Sequence, residues 1–360
     1  MTSVVVGGGP AGAVAAKTLS RTGDVVVFEE HSRQPVQCAG LISVSGLERL
    51  GISPKDSLLN TVRGARFYSP SGRCSELRAD KPKAYVVDRR RFDELLLEEA
   101  SFAGARIRRE RVVGVVPGRV RAKSIAIDAE RIVLATGVDY RMHRTLGLDH
   151  PKRFLVGAQA DVKVECDPDF VELHLNVPGF FSWVIPAGDF ARVGLCARTN
   201  PTPYLASFLK HLKACGRMKR VEPRNRVYGI IPVYDPKVRA DYGWVRCVGD
   251  AAGQVKATTG GGVVLGAVAA SLVGERDYER AWRRAIGREL SLHLMLRRMV
   301  DRISARNVDV IFDILDASAG ALEGGGDMDY ASKTIRSLLG SPKAAASLLV
   351  RAPKILRSLL

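Results

Sequence analysis

The chain is short of acid, short of aromatic residues, and without the cysteine patterns that would cross-link it or bind a metal. Its 360 residues carry 38 Asp and Glu against 55 Lys and Arg, a net charge of +17, with an isoelectric point near 9.9. A balance this basic favours an anionic partner such as nucleic acid, an anionic membrane or a phosphorylated substrate, although a solvated basic surface accounts for many of these charges. Aromatic residues make up only 6%. No nucleic-acid-binding motif is present and the basic residues are spread along the chain, so a nucleic acid partner is not expected. The six cysteines, Cys38, Cys74, Cys166, Cys196, Cys215 and Cys247, include no Cys-x-x-Cys pair. That spacing excludes the usual zinc site and a disulfide framework, and it points to a reducing compartment. His31, His143, His150, His174, His211 and His293 show no metal-ligand spacing, so no metal is expected. No basic stretch precedes the first apolar run, which Gly7 interrupts; it reads as a first strand rather than a signal peptide, and the expected location is cytoplasmic. Residues 257–274 lack charge and touch the lower limit for a membrane span, but five glycines and two threonines suit a buried helix better.

What is present is glycine in two ordered clusters. Gly7-Gly8-Gly9-Pro10-Ala11-Gly12 follows the apolar run Ser3-Val4-Val5-Val6 and precedes the helical pattern Ala13-Val14-Ala15-Ala16-Lys17-Thr18-Leu19. In a strand-turn-helix unit Gly7 permits the sharp turn, Gly9 lets backbone approach a pyrophosphate, and Gly12 lets the helix pack closely on the sheet. The free amides at the helix N-terminus then face the phosphates. The next strand, Val25-Val26-Val27-Phe28, ends at Glu29, seventeen residues past Gly12, where a carboxylate should accept ribose hydroxyls. Glu30 is the alternative at that position.

The second cluster turns a general dinucleotide site into one for FAD. Gly243-Trp244-Val245-Arg246-Cys247-Val248 reads as a strand ending at Gly249-Asp250-Ala251-Ala252-Gly253, and Gly260-Gly261-Gly262 leads into the apolar helix that begins at Val263. An Asp just past a strand suits a ribityl hydroxyl, which an NAD enzyme has no need to bind; a turn-capping Asp is the plainer alternative. Val87-Asp88-Arg89-Arg90-Arg91-Phe92-Asp93 opens a helix, with Arg89 able to clamp a diphosphate in a bidentate way and Arg90 and Arg91 on the surface. Arg131-Ile132-Val133-Leu134-Ala135-Thr136-Gly137 is a strand closing on a glycine suited to tight cofactor approach.

Between these elements, residues 154–197 alternate in strand fashion, with runs at 154–156, 160–164, 170–174, 180–186 and 192–196. No repeat or low-complexity linker separates them, so two interleaved domains are expected. The boundaries are 1–60, 89–150 and 244–290 for cofactor binding, and 61–88 and 151–243 for a substrate-binding sheet. Residues 291–360 form a helical C-terminal region, with one long helix or two joined ones over 278–307 and a loop at Gly324-Gly325-Gly326-Asp327. Residues 341–360 are apolar and basic with no acid, suited either to an anionic membrane interface or to capping the protein's own core.

The run Phe181-Ser182-Trp183-Val184-Ile185-Pro186, followed after six residues by Val193-Gly194, resembles the geranylgeranyl reductase family, whose pattern there is aromatic-x-Trp-x-Phe-Pro, six residues, Val-Gly. Phe181 stands for the usual Tyr and Ile185 for the usual Phe, so a pocket hydroxyl is missing. The resemblance extends to Gln37-Cys38-Ala39-Gly40-Leu41, to Asp88-Arg89 with Phe92-Asp93, and to both later glycine clusters. It spans residues 3 to about 285 and covers the tail loosely.

The resemblance implies an α/β fold: a Rossmann-type FAD-binding domain like those of glutathione reductase and para-hydroxybenzoate hydroxylase, interleaved with an antiparallel-sheet substrate domain, plus a helical tail. It implies FAD contacts at Ala11, Gly12, Glu29, Cys38, Ala39, Arg89, Asp250, Gly262 and Val263; the strand-turn reading adds Gly7, Gly9 and Gly137, and Val112 is a further cofactor-binding candidate. It places Phe181, Trp183 and Pro186 along an isoprenoid channel. The implied reaction is reduction of carbon-carbon double bonds in geranylgeranyl chains, in archaeal relatives those of digeranylgeranyl glycerophospholipids. An isolated alkene has no carbonyl to polarise, so it must be held in a dry apolar channel while hydride reaches one carbon and a proton the other. Cys38 is the candidate proton donor, with a structural thiol as the alternative. The electron donor, NADPH or ferredoxin, is open, as is peripheral contact with the inner face of an anionic cell membrane. Rival readings are a flavin monooxygenase of a small hydrophobic substrate and a non-catalytic lipid-binding flavoprotein. Halogenases carry Trp-x-Trp-x-Ile-Pro, and Phe181 in place of the first Trp argues against that chemistry.

Overall fold

The computed structural model describes residues 2–31, 37–302, 308–346 and 350, and the chain forms two compact units. The first combines residues 1–36, 89–154 and 231–294. Its centre is a five-stranded parallel sheet ordered Val245–Cys247, Arg131–Leu134, Thr2–Val6, Asp24–Phe28, Ala105–Arg108. A parallel sheet covered on both faces needs continuously apolar strands, and Val4, Val5, Val25, Val26, Val27, Ile132 and Val133 are all buried. The helix Pro10–Leu19 packs on it through small side chains, with Ala13, Ala15 and Ala16 buried and Pro10 at its start. The helix Arg89–Phe102 packs against it in turn. A small sheet of Val112–Val116, Arg119–Ala122 and Ala126–Asp128 completes this unit.

The second unit combines residues 37–88, 155–230 and 295–360. Its seven-stranded sheet runs Arg224–Pro232, Phe154–Val162, Ala191–Ala197, Phe180–Pro186, Phe170–Val177, Gly64–Tyr68, Cys74–Arg78. The pairing of Phe170–Val177 with Gly64–Tyr68 is parallel, and the pairings of Phe154–Val162, Ala191–Ala197, Phe180–Pro186 and Phe170–Val177 in turn are antiparallel. Strand alternation sorts the sheet into two faces. On one, Ala158, Ala160, Val184, Ala191, Val193 and Leu195 pack with Leu205, Phe208, Leu209 and Leu212 of the helix Thr202–Ala214. On the other, Val171, Ile185 and the half-buried Trp183 pack with Val62, Ala84 and Val86 from a small sheet of Leu41–Ser43, Ala84–Val87 and Leu58–Val62. The runs expected at 154–156 and 160–164 are one strand, because Gly157 keeps its place opposite Cys196 in the ladder.

The structure divides the chain differently from the expected boundaries in three places. Residues 37–60 group with the second unit, since Leu41–Ser43 and Leu58–Val62 both pair with Ala84–Val87. Residues 231–243 join the first unit, where Ala240 and Asp241 donate their amides to Glu279. The helices after residue 294 belong to the second unit rather than to a separate tail; Val308–Gly325 packs on Cys74–Arg78, with Arg73 reaching Asp313 and Asp316 at 2.5 and 2.6 Å. The expected long helix is Tyr278–Trp282 and Arg288–Arg302 joined through a π-type turn at Arg283–Gly287. Among the described residues no helix is long and apolar enough to cross a membrane; the uncharged stretch 257–274 is a loop leading into the short helix Val263–Ala270. The basic tail expected to touch membrane lies mostly outside the described residues.

Candidate functional site

The first glycine cluster is held by contacts that only glycine permits. Gly7 has φ +105° and donates its amide to Phe28 O at 2.8 Å. A Cβ there would lie 2.2 Å from Ala135 O, and one at Gly12 would lie 1.9 Å from Gly7 O, so both positions are closed by backbone. Gly9 differs: a Cβ would meet nothing within 4 Å. The open side of the turn is therefore at Gly9, which is also the N-cap of Pro10–Leu19. No side chain caps this helix and no acidic residue stands in its first turn. Uncapped amides beside open space, at the positive end of the helix dipole, fit a pyrophosphate.

Glu29, rather than Glu30, turns toward this cluster. Its buried carboxylate accepts the Gly8 amide at 2.7 Å through Oε2, and the His31 amide at 2.9 Å through Oε1. Glu30 is exposed and lies 3.4 Å from Arg111.

The second cluster meets the first. Gly249 has φ +66°, and a Cβ on it would lie 2.8 Å from the Ala11 side chain. A Cβ on Gly266, in the helix Val263–Ala270, would in turn lie 3.0 Å from Gly249 Cα. Asp250 follows in the turn Gly249–Ala252. Its carbonyl accepts the Tyr140 hydroxyl at 2.9 Å, while its carboxylate accepts no hydrogen bond from the described residues. Burial raises its pKa, and the Arg89 charge acts against that rise. A Cβ on Gly262 would come within 2.8 Å of Asp250 Oδ1, so Gly262 and the helix start at Val263 stand beside this carboxylate. An acceptor without a donor fits a ligand hydroxyl, and with the open Gly9 turn it shows that these residues suit a dinucleotide.

Three residues that sequence reasoning missed hold this turn. Gly249 donates to Gln254 Oε1 at 2.8 Å, Gln254 donates to Tyr278 at 3.3 Å, and the Tyr278 hydroxyl donates to Cys247 O at 3.1 Å, all buried. Tyr140 is the third, and beneath it lies the fully buried His143, the two rings edge to face at 5.4 Å. Burial, followed by the charge of His150, holds His143 down to about 4 against the help of the Ala251 backbone. A polar side chain behind an apolar turn carries no period of its own, so no spacing signal marks these residues.

Arg89 is not free to swing: Nε and Nη2 bond Asp93 at 2.9 and 3.1 Å. Arg90 is exposed and Arg91 pairs with Glu98 at 2.7 Å. Gly137 has φ +59° just past Arg131–Leu134, beside Ala135 of the Gly7 contact. Val112 is buried at the start of Val112–Val116 and shares none of the contacts given above.

The remaining predicted residues lie in the second unit. Cys38 is half-buried, and its sulfur accepts the Gly40 amide at 3.4 Å. Ala39 O accepts Arg192 Nη1 at 2.7 Å, and the same nitrogen donates to Val87 O at 2.9 Å. Arg192 was invisible in sequence as anything but a charged strand residue. Phe181 and Trp183 share a face, their rings edge to face at 6.3 Å. Trp183 pairs with Gly194, which pairs with Gln159 on the next strand. The indole lies flat over Gly194, where a Cβ would be 2.6 Å from the ring, and its Nε1 donates to Gln159 Oε1 at 3.1 Å. That is the physical reason for the Val-Gly that follows the Trp motif. Pro186 departs from expectation: it pairs with Ala191, whose side chain packs under Thr202–Ala214, so the pleat puts Pro186 on the face opposite Trp183.

No family model matches the chain. The chain is 27% identical over 360 residues to the digeranylgeranylglycerophospholipid reductase of Methanocaldococcus jannaschii, covering 89% of this chain and 92% of the relative. It is 32% identical over 353 residues to digeranylgeranylglycerophospholipid reductase 1 of Methanothermobacter thermautotrophicus, covering 86% and 88%. In fold it matches the crystal structure of a geranylgeranyl bacteriochlorophyll reductase-like protein from Thermoplasma acidophilum, with a TM-score of 0.80 at 23% identity over 98% of this chain and 99% of that one. A flavin-dependent brominase matches with a TM-score of 0.63 at 16% identity, over 99% and 100%.

Proposed function

This chain belongs to the archaeal digeranylgeranylglycerophospholipid reductase-like family of FAD-dependent oxidoreductases, and from that premise we propose that it saturates carbon-carbon double bonds of geranylgeranyl chains carried on a glycerophospholipid. The observation that carries the reading is the Trp183 indole laid over Gly194 and tied to Gln159, with Phe181 beside it. That arrangement builds a rigid apolar plane whose one polar atom is already satisfied, which suits an alkene that offers nothing to hydrogen-bond. Bound FAD, when reduced, supplies the hydride.

The chain's own residues do the rest. The Gly9 turn and the uncapped helix amides hold the pyrophosphate, Glu29 and Asp250 hold hydroxyls, and Arg89 and Gly262 flank the Asp250 carboxylate. Phe181 and Trp183 orient the prenyl chain and exclude water. Arg192 fixes the Ala39 carbonyl, and with it the segment that carries Cys38, the group we assign to deliver the proton. Pro186 supports the strand from its opposite face.

A substrate embedded in membrane calls for peripheral contact at the inner face, and the basic residues 341–360 would supply it. Binding to anionic vesicles should weaken with salt and on deletion of residues 342–360; unchanged binding would remove the tail from this role. NADPH and ferredoxin are both compatible electron donors, and each is tested by whether it reduces the bound flavin.

The deciding experiment is an anaerobic turnover. Dithionite-reduced protein is mixed with geranylgeranylated phospholipid while flavin reoxidation and product mass are followed. Reoxidation with a gain of two mass units per double bond is the expected result. A flavin that stays reduced until air enters would overturn the assignment in favour of an oxygen-using enzyme.

A further inference from the structure

The hairpin that carries the aromatic plane is not held by its own turn. Phe170–Val177 and Phe180–Pro186 are joined by Pro178-Gly179, with Gly179 at φ +71°. Proline first and a left-handed glycine second are the residues of a type II turn, whose twist does not match that of two paired strands. The ladder is irregular at this end, its register shifting between His174 and Val177. Phe180 and Phe181 are neighbours in the strand, yet their rings stack at 4.3 Å and 17° instead of pointing to opposite faces.

Two arginines and one carboxylate close over that tip. Arg297, from the helix Arg288–Arg302, is buried, donates through Nη2 to Gly179 O, and stands 4.7 Å over the Phe180 ring. A Cβ on Gly179 would come within 3.2 Å of Arg198 Nε, so Arg198 lies against the same residue. Asp301 joins the two, accepting Arg297 Nε and Arg198 Nη2 each at 2.8 Å. All of these residues belong to the second unit. From the tip the contacts run along the strand: Phe180 stacks on Phe181, and Phe181 meets Trp183 edge to face at 6.3 Å.

A buried ion pair adds little stability, because taking the guanidinium out of water costs about as much as the carboxylate gives back. Burial pulls the Arg297 pKa down, and Asp301 acts against that pull. What the pair does fix is geometry, since a planar fork bonded to a carboxylate has few orientations. Here the fork meets a turn that does not set its own register.

We propose that Arg297, held in place by Asp301, is a positioning residue for the prenyl substrate: by fixing Gly179 and the Phe180 ring it sets where Phe181 stands beside Trp183. This rests on the reading of Phe181 and Trp183 as the substrate plane. A loose Phe181 ring has to be ordered each time substrate binds, so the loss falls on KM rather than on kcat.

The test is steady-state kinetics of the flavin-loaded full chain on geranylgeranylated phospholipid, with dithionite as reductant, for Arg297→Met, Phe181→Leu and the double variant. Arg297→Met keeps an unbranched apolar chain over Phe180 and leaves Asp301 paired with Arg198, so melting temperature and flavin content should stay close to wild type. KM should rise about fivefold or more with kcat within about twofold, and Arg297→Lys, which keeps a charged donor for Gly179 O, should recover part of the loss. In the Phe181→Leu background Arg297→Met should cost less than about twofold further, since the ring it positions is gone. Should Arg297→Met not fold, Phe180→Leu interrupts the same line of contacts at its middle and should raise KM likewise. Folded variants with wild-type KM, or losses in Arg297→Met and Phe181→Leu that multiply in the double variant, would overturn the proposal. Phe181→Leu with wild-type kcat/KM would overturn the substrate plane itself, and the positioning role with it.

Discussion

In the unit built on the parallel sheet, the groups proposed to hold the cofactor are mostly main-chain atoms. Gly7, Gly9 and Gly12 shape a turn, Gly249 lets Ala11 come close, and the amides of Pro10–Leu19 are left uncapped. In the unit built on the seven-stranded sheet, the corresponding surface is made of side chains laid in a row across three strands: Trp183, Gly194 and Gln159. A backbone site is fixed by where residues lack a Cβ, whereas a side-chain site is fixed by register, because a slip of one residue would send Trp183 to the opposite face. The two kinds of site should therefore fail differently when changed.

The largest effect is expected within the glycine turn. Gly12→Val would press a branched side chain onto Gly7 O, 1.9 Å from where its Cβ begins, so the protein should lose bound flavin altogether or fail to fold. Gly9→Ala isolates the ligand term, because its Cβ meets nothing within 4 Å. Its melting temperature without flavin should match wild type while FAD affinity falls about tenfold or more. Full affinity in Gly9→Ala would mean that the pyrophosphate does not lie on this side of the turn.

Next comes the row across the sheet. Gly194→Ala puts a methyl group 2.6 Å from the Trp183 ring, which must then leave its plane. Flavin content, read by absorbance, should be kept, whereas kcat/KM on the prenyl substrate should fall at least about tenfold. Trp183→Phe removes the bond to Gln159 but keeps an aromatic plane, so its loss should be smaller. Arg192→Met should lie between the two: it frees the Ala39 and Val87 carbonyls and loosens the Cys38 segment, lowering kcat more than it raises KM. Equal loss of flavin in Gly194→Ala and Gly12→Val would erase the distinction between the two units.

The same contrast explains what could be read from the sequence. Gly7, Gly9, Gly12, Glu29, Asp250 and Gly262 stand at spacings dictated by one strand-turn-helix unit each, so they were legible as motifs, and so was the parallel sheet around them. The Trp183 and Gly194 pairing was legible only as an unexplained spacing, since its cause is cross-strand contact. Pro186 was misplaced for want of the pleat phase at the strand end. Gln159, Arg192, Tyr140 and Tyr278 act across 24 to 153 residues of sequence, Gln254 links Gly249 five residues back to Tyr278 24 residues on, and no local pattern distinguishes them from other buried polar residues. The boundary at 37–60 was missed for the same reason: Leu41–Ser43 is committed by its partner Ala84–Val87, more than forty residues on.

The smallest effect separates two buried histidines, one in each unit. His174 has a carboxylate partner, but His143 lies fully buried beneath Tyr140, its pKa held at about 4 by burial against 6.5 in the unfolded chain. Between those values the unfolded state binds the proton and the folded state does not. The stabilisation tied to the neutral ring is therefore complete above pH 6.5 and is lost as the pH falls toward 4, amounting at most to something on the order of 3 kcal/mol. His143→Phe keeps a ring against Tyr140 but cannot take up a proton. Urea unfolding at pH 7 and pH 5 should show wild type losing on the order of 2 kcal/mol more than the variant over that interval. Parallel losses in the two proteins would mean that His143 titrates normally, and that the turn carrying Asp250 rests on something other than a neutral imidazole.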